Sequence, residues 1–235
     1  MLSTVNIYAL APRVDNAPSG PSSMIDARLG STSVGLVIGF DLDMTLLDTR
    51  AGIAANYRAL ADRTGVYIDA DLAITRLGPP LRQEMAEWFP AADIEEAVTM
   101  YRSLYPSHAI APTVALPGAR EAISAVRSAG GRVVVITSKL GRLASLHLKH
   151  AGLAVDEVHG DVFGEEKGAV LRAVGARAIV GDHVADMHAG VVAGVHPIGV
   201  VSGPCSREEL LAAGAETVLD DLRGFPAWLD RCGSE

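Results

Sequence analysis

Leu36-Val37-Ile38-Gly39-Phe40-Asp41-Leu42-Asp43-Met44-Thr45 decides how this chain is read. An apolar run stops abruptly at two carboxylates. Phe40 and Leu42 alternate with Asp41 and Asp43, so an extended backbone points both acids to the same side. Carboxylates ending a buried strand need partners, because an unpaired charge near a core costs several kcal/mol. A divalent cation meets that need, since it prefers hard oxygen ligands and is the largest local charge a site can hold. The rest of such a site must come from further along the chain.

Upstream, Val34 to Asp41 reads as one buried strand. Downstream, Ile53, Tyr57, Leu60 and Ala61 recur at helical spacing, and Gly65 is placed as a stop. Further helices are expected over 69–77, 81–89 and 92–105, punctuated by Gly78-Pro79-Pro80, Pro90 and Pro106. Residues 52–112 therefore read as an all-helical block without a strand. Beyond it, Pro117-Gly118 opens a helix that Gly130-Gly131 stops, and a β-branched strand is expected over 132–137. Helices over 141–151, 165–174, 184–193, 206–213 and 222–231 then alternate with strands over 155–159, 177–181, 197–201 and 217–219. Such alternation implies βαβ crossovers and a mainly parallel sheet covered on both faces. The helical block interrupts this α/β pattern just after the first strand, so it reads as an inserted domain. The expected division is an α/β core of 34–51 and 113–235, an insertion over 52–112, and an extension over 1–33.

Ligands of open parallel sheets bind beyond the carboxyl ends of the strands. Collecting the strand-end residues gives Asp41 and Asp43 from the first strand and Thr137-Ser138 from the strand Val133-Val134-Val135-Ile136. Ala178-Ile179-Val180 leads to Gly181-Asp182, with Asp186 four residues on, and Lys167 stands near a helix start. Carboxylates, a hydroxyl and an ammonium on one sheet edge suit a Mg²⁺ site that receives a phosphoryl group. The cation and the lysine neutralise phosphoryl oxygens, the hydroxyl donates a hydrogen bond, and one carboxylate is free to attack.

These motifs resemble those of the haloacid dehalogenase superfamily. Asp41-Leu42-Asp43-Met44-Thr45 is similar to its first motif, Val135-Ile136-Thr137-Ser138 to its second, Lys167 to its third, and Gly181-Asp182-His183-Val184-Ala185-Asp186 to its fourth. The resemblance covers about residues 34–231. It implies a Rossmann-like parallel core with an inserted all-helical cap of that superfamily's first type. Gly78-Pro79-Pro80-Leu81 and Pro117-Gly118 resemble segments of its phosphoglycolate phosphatase-like group, and Met44 stands where Gly is more usual.

The resemblance also implies roles. Asp41 is the expected nucleophile, forming an aspartyl-phosphate, and Asp43 the expected acid and base. Thr137, helped by Ser138, is expected to hold a phosphoryl oxygen, and Lys167 to link nucleophile and phosphoryl group. Mg²⁺ is expected at Asp41, Asp43 (through its carbonyl) and Asp182, with Asp186 nearby. Thr45 and Arg82 join Ser138 as expected substrate contacts. The implied activity is Mg²⁺-dependent hydrolysis of a small phosphorylated metabolite, a phosphoglycolate-like phosphomonoester.

Several alternatives share parts of this pattern. A β-phosphoglucomutase-like phosphotransferase or a pyrophosphatase would use the same core, whereas a dehalogenase would do without Asp43. A receiver-like signalling module would need neither the cap nor the acidic pair after the lysine. A catalytically silent binding protein would not need intact motifs. Singly, each residue also has an ordinary explanation: Thr137 and Ser138 as caps of helix 141–151, Asp182 as a cap, Asp186 and Lys167 as solvated side chains. Four coincidences at successive strand ends weigh against those explanations together. His147 and His150, beside Lys149, read as a solvated helix face, His183 as a variable position within its motif, and Trp88 and Phe89 as cap interior or cap–core interface.

Composition narrows the partners. The 235 residues are 49% hydrophobic and 20% charged, enough for a large core, and the formal net charge is −8. No Lys/Arg-dense stretch could track a phosphate backbone and aromatics are only 5%, so nucleic acid is not an expected partner. No apolar run approaches the roughly 20 residues that span a bilayer. Cys205 and Cys232, without companion ligands, read as free thiols of a reducing compartment, and the cytoplasm is the expected location. Residues 1–33, rich in Ser, Pro, Ala and Asn, read as a disordered extension, with Met24 as an alternative start.

Overall fold

In the computed structural model, which describes residues 35–232, Val37–Phe40 forms strand β1 at the middle of a six-stranded parallel sheet. Its neighbours are β4 (Arg132–Ile136) and β6 (Ala178–Gly181), with Phe40 opposite Val135 and Val180. β5 (Glu157–His159) lies beyond β4, and β7 (His196–Val200) and β8 (Thr217–Leu219) lie beyond β6. Every strand of the sheet runs the same way, as the βαβ alternation requires.

The two faces are buried differently. Ile38, Phe40, Val133, Val135 and Val180 pack with α5 (Ala119–Ser128) and α10 (Phe225–Cys232). Val37, Val134, Ile136 and Ile179 face α7 (Glu165–Val174) and α8 (Val184–Ala193). The period of two along each strand sends alternate side chains to opposite cores, so these strands read as continuous apolar runs. α6 (Gly141–Ala151) and α9 (Arg207–Ala212) complete the core's helices.

Between Asp48 and Val114 the chain makes four α-helices: α1 (Arg50–Thr64), α2 (Ala70–Ala73), α3 (Leu81–Met85) and α4 (Ile94–His108). Their apolar side chains form a second cluster around Tyr57, Leu60, Met85, Val98 and Tyr101, against which Leu140 and Leu143 of the core also pack. Trp88 and Phe89 belong to this cluster. The segment is entered and left through a two-stranded antiparallel ribbon, β2 (Leu47–Asp48) and β3 (Val114–Ala115), with Leu47 opposite Ala115.

Several local expectations need correcting. The helix expected over 69–77 is α2 followed by a 3₁₀ turn, Ile74–Arg76, and that over 81–89 stops at Met85. Pro106 does not end its helix, because α4 runs on to His108. The ribbon carries no legible period, since each strand is two residues long. Residues 222–231 divide into a 3₁₀ turn, Leu222–Gly224, and α10. The expectation for residues 1–33 lies outside the described residues. Both cysteines are free thiols, and no described helix is long and apolar enough to cross a membrane.

Candidate active site

Asp41 is the first residue past β1, and its N–H still donates to the carbonyl of Val180 (2.9 Å). The chain then turns sharply, with the carbonyl of Leu42 accepting from Leu46 and Leu47 at 3.0 Å each. Met44 takes the left-handed conformation, φ 59°, which explains why glycine suits this position. Ser202 Oγ pins the turn by donating to the Met44 carbonyl (2.6 Å).

Lys167 Nζ donates to Asp41 Oδ1 (2.7 Å) and Asp186 Oδ1 (2.6 Å), all three groups being buried. Thr45 Oγ1 donates to Asp182 Oδ1 (2.7 Å). Gly203 passes so close that a Cβ there would meet Asp182 Oδ2 at 1.8 Å. Asp186 also belongs to a capping box at the start of α8, where His183 Nδ1 accepts from the Ala185 N–H. His183 therefore shapes the start of that helix. Its ring also lies against Gly78, where φ is +131° and a Cβ would come within 2.8 Å of it.

The donor set fits a cation. Oxygens of Asp41, Asp182 and Asp186 lie within 4.8 Å of one another, and all three are hard carboxylates, the kind Mg²⁺ and Ca²⁺ take. One ammonium, Lys167, faces three buried acids. Burial lifts Asp41 to about 7, with Lys167 pulling it back and Asp186 pushing it further up. Asp182 is driven well above the usual carboxylate range by burial and by the charges of Asp41 and Asp186. Lys167 moves up in spite of burial, because Asp186 and Asp41 favour its ammonium form. A divalent cation would relieve this surplus of negative charge.

Asp43 has different surroundings. Thr49 Oγ1 donates to its Oδ1 (2.6 Å), and Lys139 Nζ lies 2.9 Å from the same oxygen. Burial opposes its ionised form, but the charge of Lys139 and the bonds from Thr49 and Lys139 outweigh it and hold the pKa below the usual value. The neighbouring carboxylates thus part company: Asp41 belongs to the acidic cluster, Asp43 to a lysine.

The other expected residues are spread around the site. Thr137 directly follows β4 and is buried, its Oγ1 accepting from the Lys139 N–H (3.2 Å). Ser138 Oγ donates to the Gly78 carbonyl (2.9 Å), tying the strand end to the loop before α3. Neither residue caps α6, whose preceding residue is Leu140. Thr45 is fully buried on Asp182. Arg82 is exposed and forms an ion pair with Glu95 (2.5 Å).

A cavity of about 90 Å³ opens over Asp41 and Asp43. Ser138 and Lys139 line it from the sheet side, and Ile53, Tyr57, Leu77 and Tyr101 from the helical insertion.

Neither Lys139 nor Tyr105 was singled out from the sequence, and the expectation of a solvated face at His147 is overturned. Lys139 stands two residues past Thr137, and that position was the available signal. His147 is not on a solvated face but fully buried. It shares one stripe of α6 with Leu143, Ala144, Leu148 and Ala151, a helical spacing legible in the sequence.

Fold and site define a class. Residues 38–195 match the haloacid dehalogenase-like hydrolase family, and the chain belongs to it. A phosphoglycolate phosphatase of Rhodospirillum rubrum is 29% identical over 215 residues, covering 81% of this chain and 89% of that one. A tyrosine-protein kinase of Mycobacterium tuberculosis is 32% identical over 115 residues, 48% of this chain and only 40% of the kinase. A haloacid dehalogenase-like hydrolase of Streptococcus pneumoniae has the same fold, with a TM-score of 0.73 at 22% identity over 83% of this chain and 99% of that one.

Proposed function

We propose that the protein hydrolyses a small phosphorylated metabolite, a phosphoglycolate-like phosphomonoester, through an aspartyl-phosphate on Asp41. The observation that carries this reading is the separation of the two carboxylates, Asp41 beside Lys167 and the acidic cluster, Asp43 beside Lys139 and the cavity. Asp41 attacks phosphorus while Asp43, having taken a proton from the singly ionised phosphomonoester, gives it to the leaving oxygen. Asp43 then takes a proton from the water that attacks phosphorus and frees Asp41. Lys167 holds Asp41 in place, and Thr137 and Ser138 present the edge on which phosphoryl oxygens rest. Mg²⁺ would be held by Asp41, Asp182 and the Asp43 carbonyl, with Asp186 behind, and would supply stabilisation of charge on those oxygens.

In this reading residues 52–112 are the cap over a core of 34–51 and 113–235, and the β2–β3 ribbon marks both crossings. The cap excludes water and selects the leaving group. The small cavity favours a small ester, and the loop before α3 is its rim. The protein works in the cytoplasm on a soluble metabolite, without nucleic acid.

A phosphate-release screen with Mg²⁺ over phosphoglycolate, pyrophosphate, sugar phosphates and nucleotides tests this. Release that vanishes in Asp41→Asn is the expected result, and unimpaired turnover by folded Asp41→Asn would remove the nucleophile assignment. A second reading, transfer to an acceptor other than water, draws on the kinase relative. It predicts labelled product from a phosphodonor exceeding free phosphate.

A further inference from the structure

The carboxylate assigned above as acid and base is held by a buried chain of polar groups. Lys139 Nζ (2.9 Å) and Thr49 Oγ1 (2.6 Å) both engage Asp43 Oδ1. Lys139 also donates to Tyr105 Oη (2.7 Å), and its ammonium lies 4.9 Å from the centre of that ring. Tyr105 Oη in turn meets His147 Nε2 at 3.0 Å. Tyr105 comes from α4 of the insertion, Lys139 from the turn between β4 and α6, and His147 from α6. The chain therefore joins both parts of the molecule to one oxygen of Asp43.

His147 is the unexpected member. It occupies an apolar stripe, it is fully buried, and among the described residues its Nδ1 has no hydrogen-bond partner. An aliphatic side chain there would avoid the cost of burying an unsatisfied polar atom. What the imidazole adds is a partner for Tyr105. The Tyr105 hydroxyl has one proton; accepting from Lys139, it can give that proton to Nε2, which places the ring's own proton on Nδ1. Donation to His147 makes the phenol oxygen a better acceptor toward Lys139, since hydrogen bonds in series reinforce one another.

We propose that Tyr105 and His147 are positioning residues for Asp43: they hold the Lys139 ammonium on Oδ1, so that Oδ2 is left to exchange the proton with the leaving oxygen and then with water. The proposal rests on the reading of Asp43 as acid and base. It gives a role in the reaction to two residues that touch no reacting atom. The proton balance is that of the two steps above: Asp43, ionised in the free protein beside Lys139, takes a proton on Oδ2 from the singly ionised phosphomonoester, gives it to the leaving oxygen, and regains one from the attacking water.

The test compares two substrates with the same phosphoryl group and similar shape, 4-nitrophenyl phosphate and phenyl phosphate. The better leaving group needs little protonation, so loss of positioning falls mainly on phenyl phosphate. Tyr105→Phe and His147→Leu are expected to lower kcat on phenyl phosphate about tenfold more than on 4-nitrophenyl phosphate, with KM little changed. Asp43→Asn sets the upper limit of that selectivity. His147→Gln, which keeps a side-chain acceptor for Tyr105, is expected to recover most of the loss, and the melting temperature of His147→Leu is expected not to fall. Equal losses on both substrates, or no loss, would overturn the positioning role while leaving the phosphatase reading intact. If the wild-type protein with Mg²⁺ releases phosphate from neither these esters nor the metabolite panel, the phosphatase reading fails and this inference falls with it.

Discussion

The ammonium of Lys167 bonds to the Asp41 carboxylate at 2.7 Å, across 126 residues of sequence. That contact is also where stability and chemistry meet, because the same ammonium holds Asp186 at 2.6 Å. Removing one partner of a buried ion pair leaves charge without compensation. Lys167→Met is expected to cost about 3–5 kcal/mol in urea unfolding at neutral pH. Millimolar Mg²⁺ is expected to return part of that loss, which an unchanged unfolding midpoint with the ion would contradict.

Cation binding should be visible without turnover. A ligand that binds only the folded state raises its melting temperature in proportion to occupancy. Mg²⁺ is expected to raise the melting temperature of the wild-type protein and to do so far less for Asp182→Asn. EDTA treatment should abolish phosphate release, and excess Mg²⁺ should restore it. Full activity in the chelator would exclude the cation role of this cluster.

Asp43→Asn keeps the shape and the Thr49 contact but cannot carry a proton. Phosphate release from an alkyl phosphate is expected to fall by about 10²–10⁴-fold, the usual contribution of general acid–base catalysis. The measurement is kcat at saturating substrate. A loss confined to KM would assign Asp43 to binding instead.

His147 gives a prediction for stability against pH. Burial and the neighbouring Lys139 charge lower its pKa from the ordinary 6.5 to about 4, with Asp43 pulling the other way. Between those values the unfolded chain binds a proton that the folded protein does not, so stability falls as pH drops from 6.5 toward 4. The full effect is at most about 3 kcal/mol. His147→Leu is expected to flatten this part of the acid limb in urea unfolding, whereas a slope identical to the wild type would mean that the ring protonates freely in the fold.

Met44→Gly weighs two opposed effects. Glycine removes a left-handed strain of roughly 1–2 kcal/mol, but it also deletes a side chain that is 2% exposed, a change that costs about 2–5 kcal/mol in related truncations. The variant is expected to be less stable by about 1–3 kcal/mol. A gain in thermal or urea stability would show that the strain dominates.

Much of the fold was legible because its signals are local. Val37–Phe40, the 141–151 helix and the 165–174 and 184–193 helices follow from apolar period and from glycine stops, which need no long-range partner. The acidic residues were legible for a different reason: parallel topology sends every strand's carboxyl end to one edge, so Asp41, Thr137 and Asp182 could be collected before any distance was known. The β2–β3 ribbon and the short α2 were not, since two- and four-residue elements take their shape from tertiary packing.

By itself the sequence determined the parallel core, the helical insertion and which carboxylates share an edge, because hydrophobic period and strand order act through neighbours in the chain. Tertiary structure alone decided what each carboxylate touches. Asp41 and Asp43 are two residues apart and of one residue type, yet one faces Lys167 and the other Lys139. It also decided that His147 is enclosed against Tyr105 rather than wetted beside Lys149. Electrostatic environment is set by groups brought together from distant segments, and no local pattern encodes that.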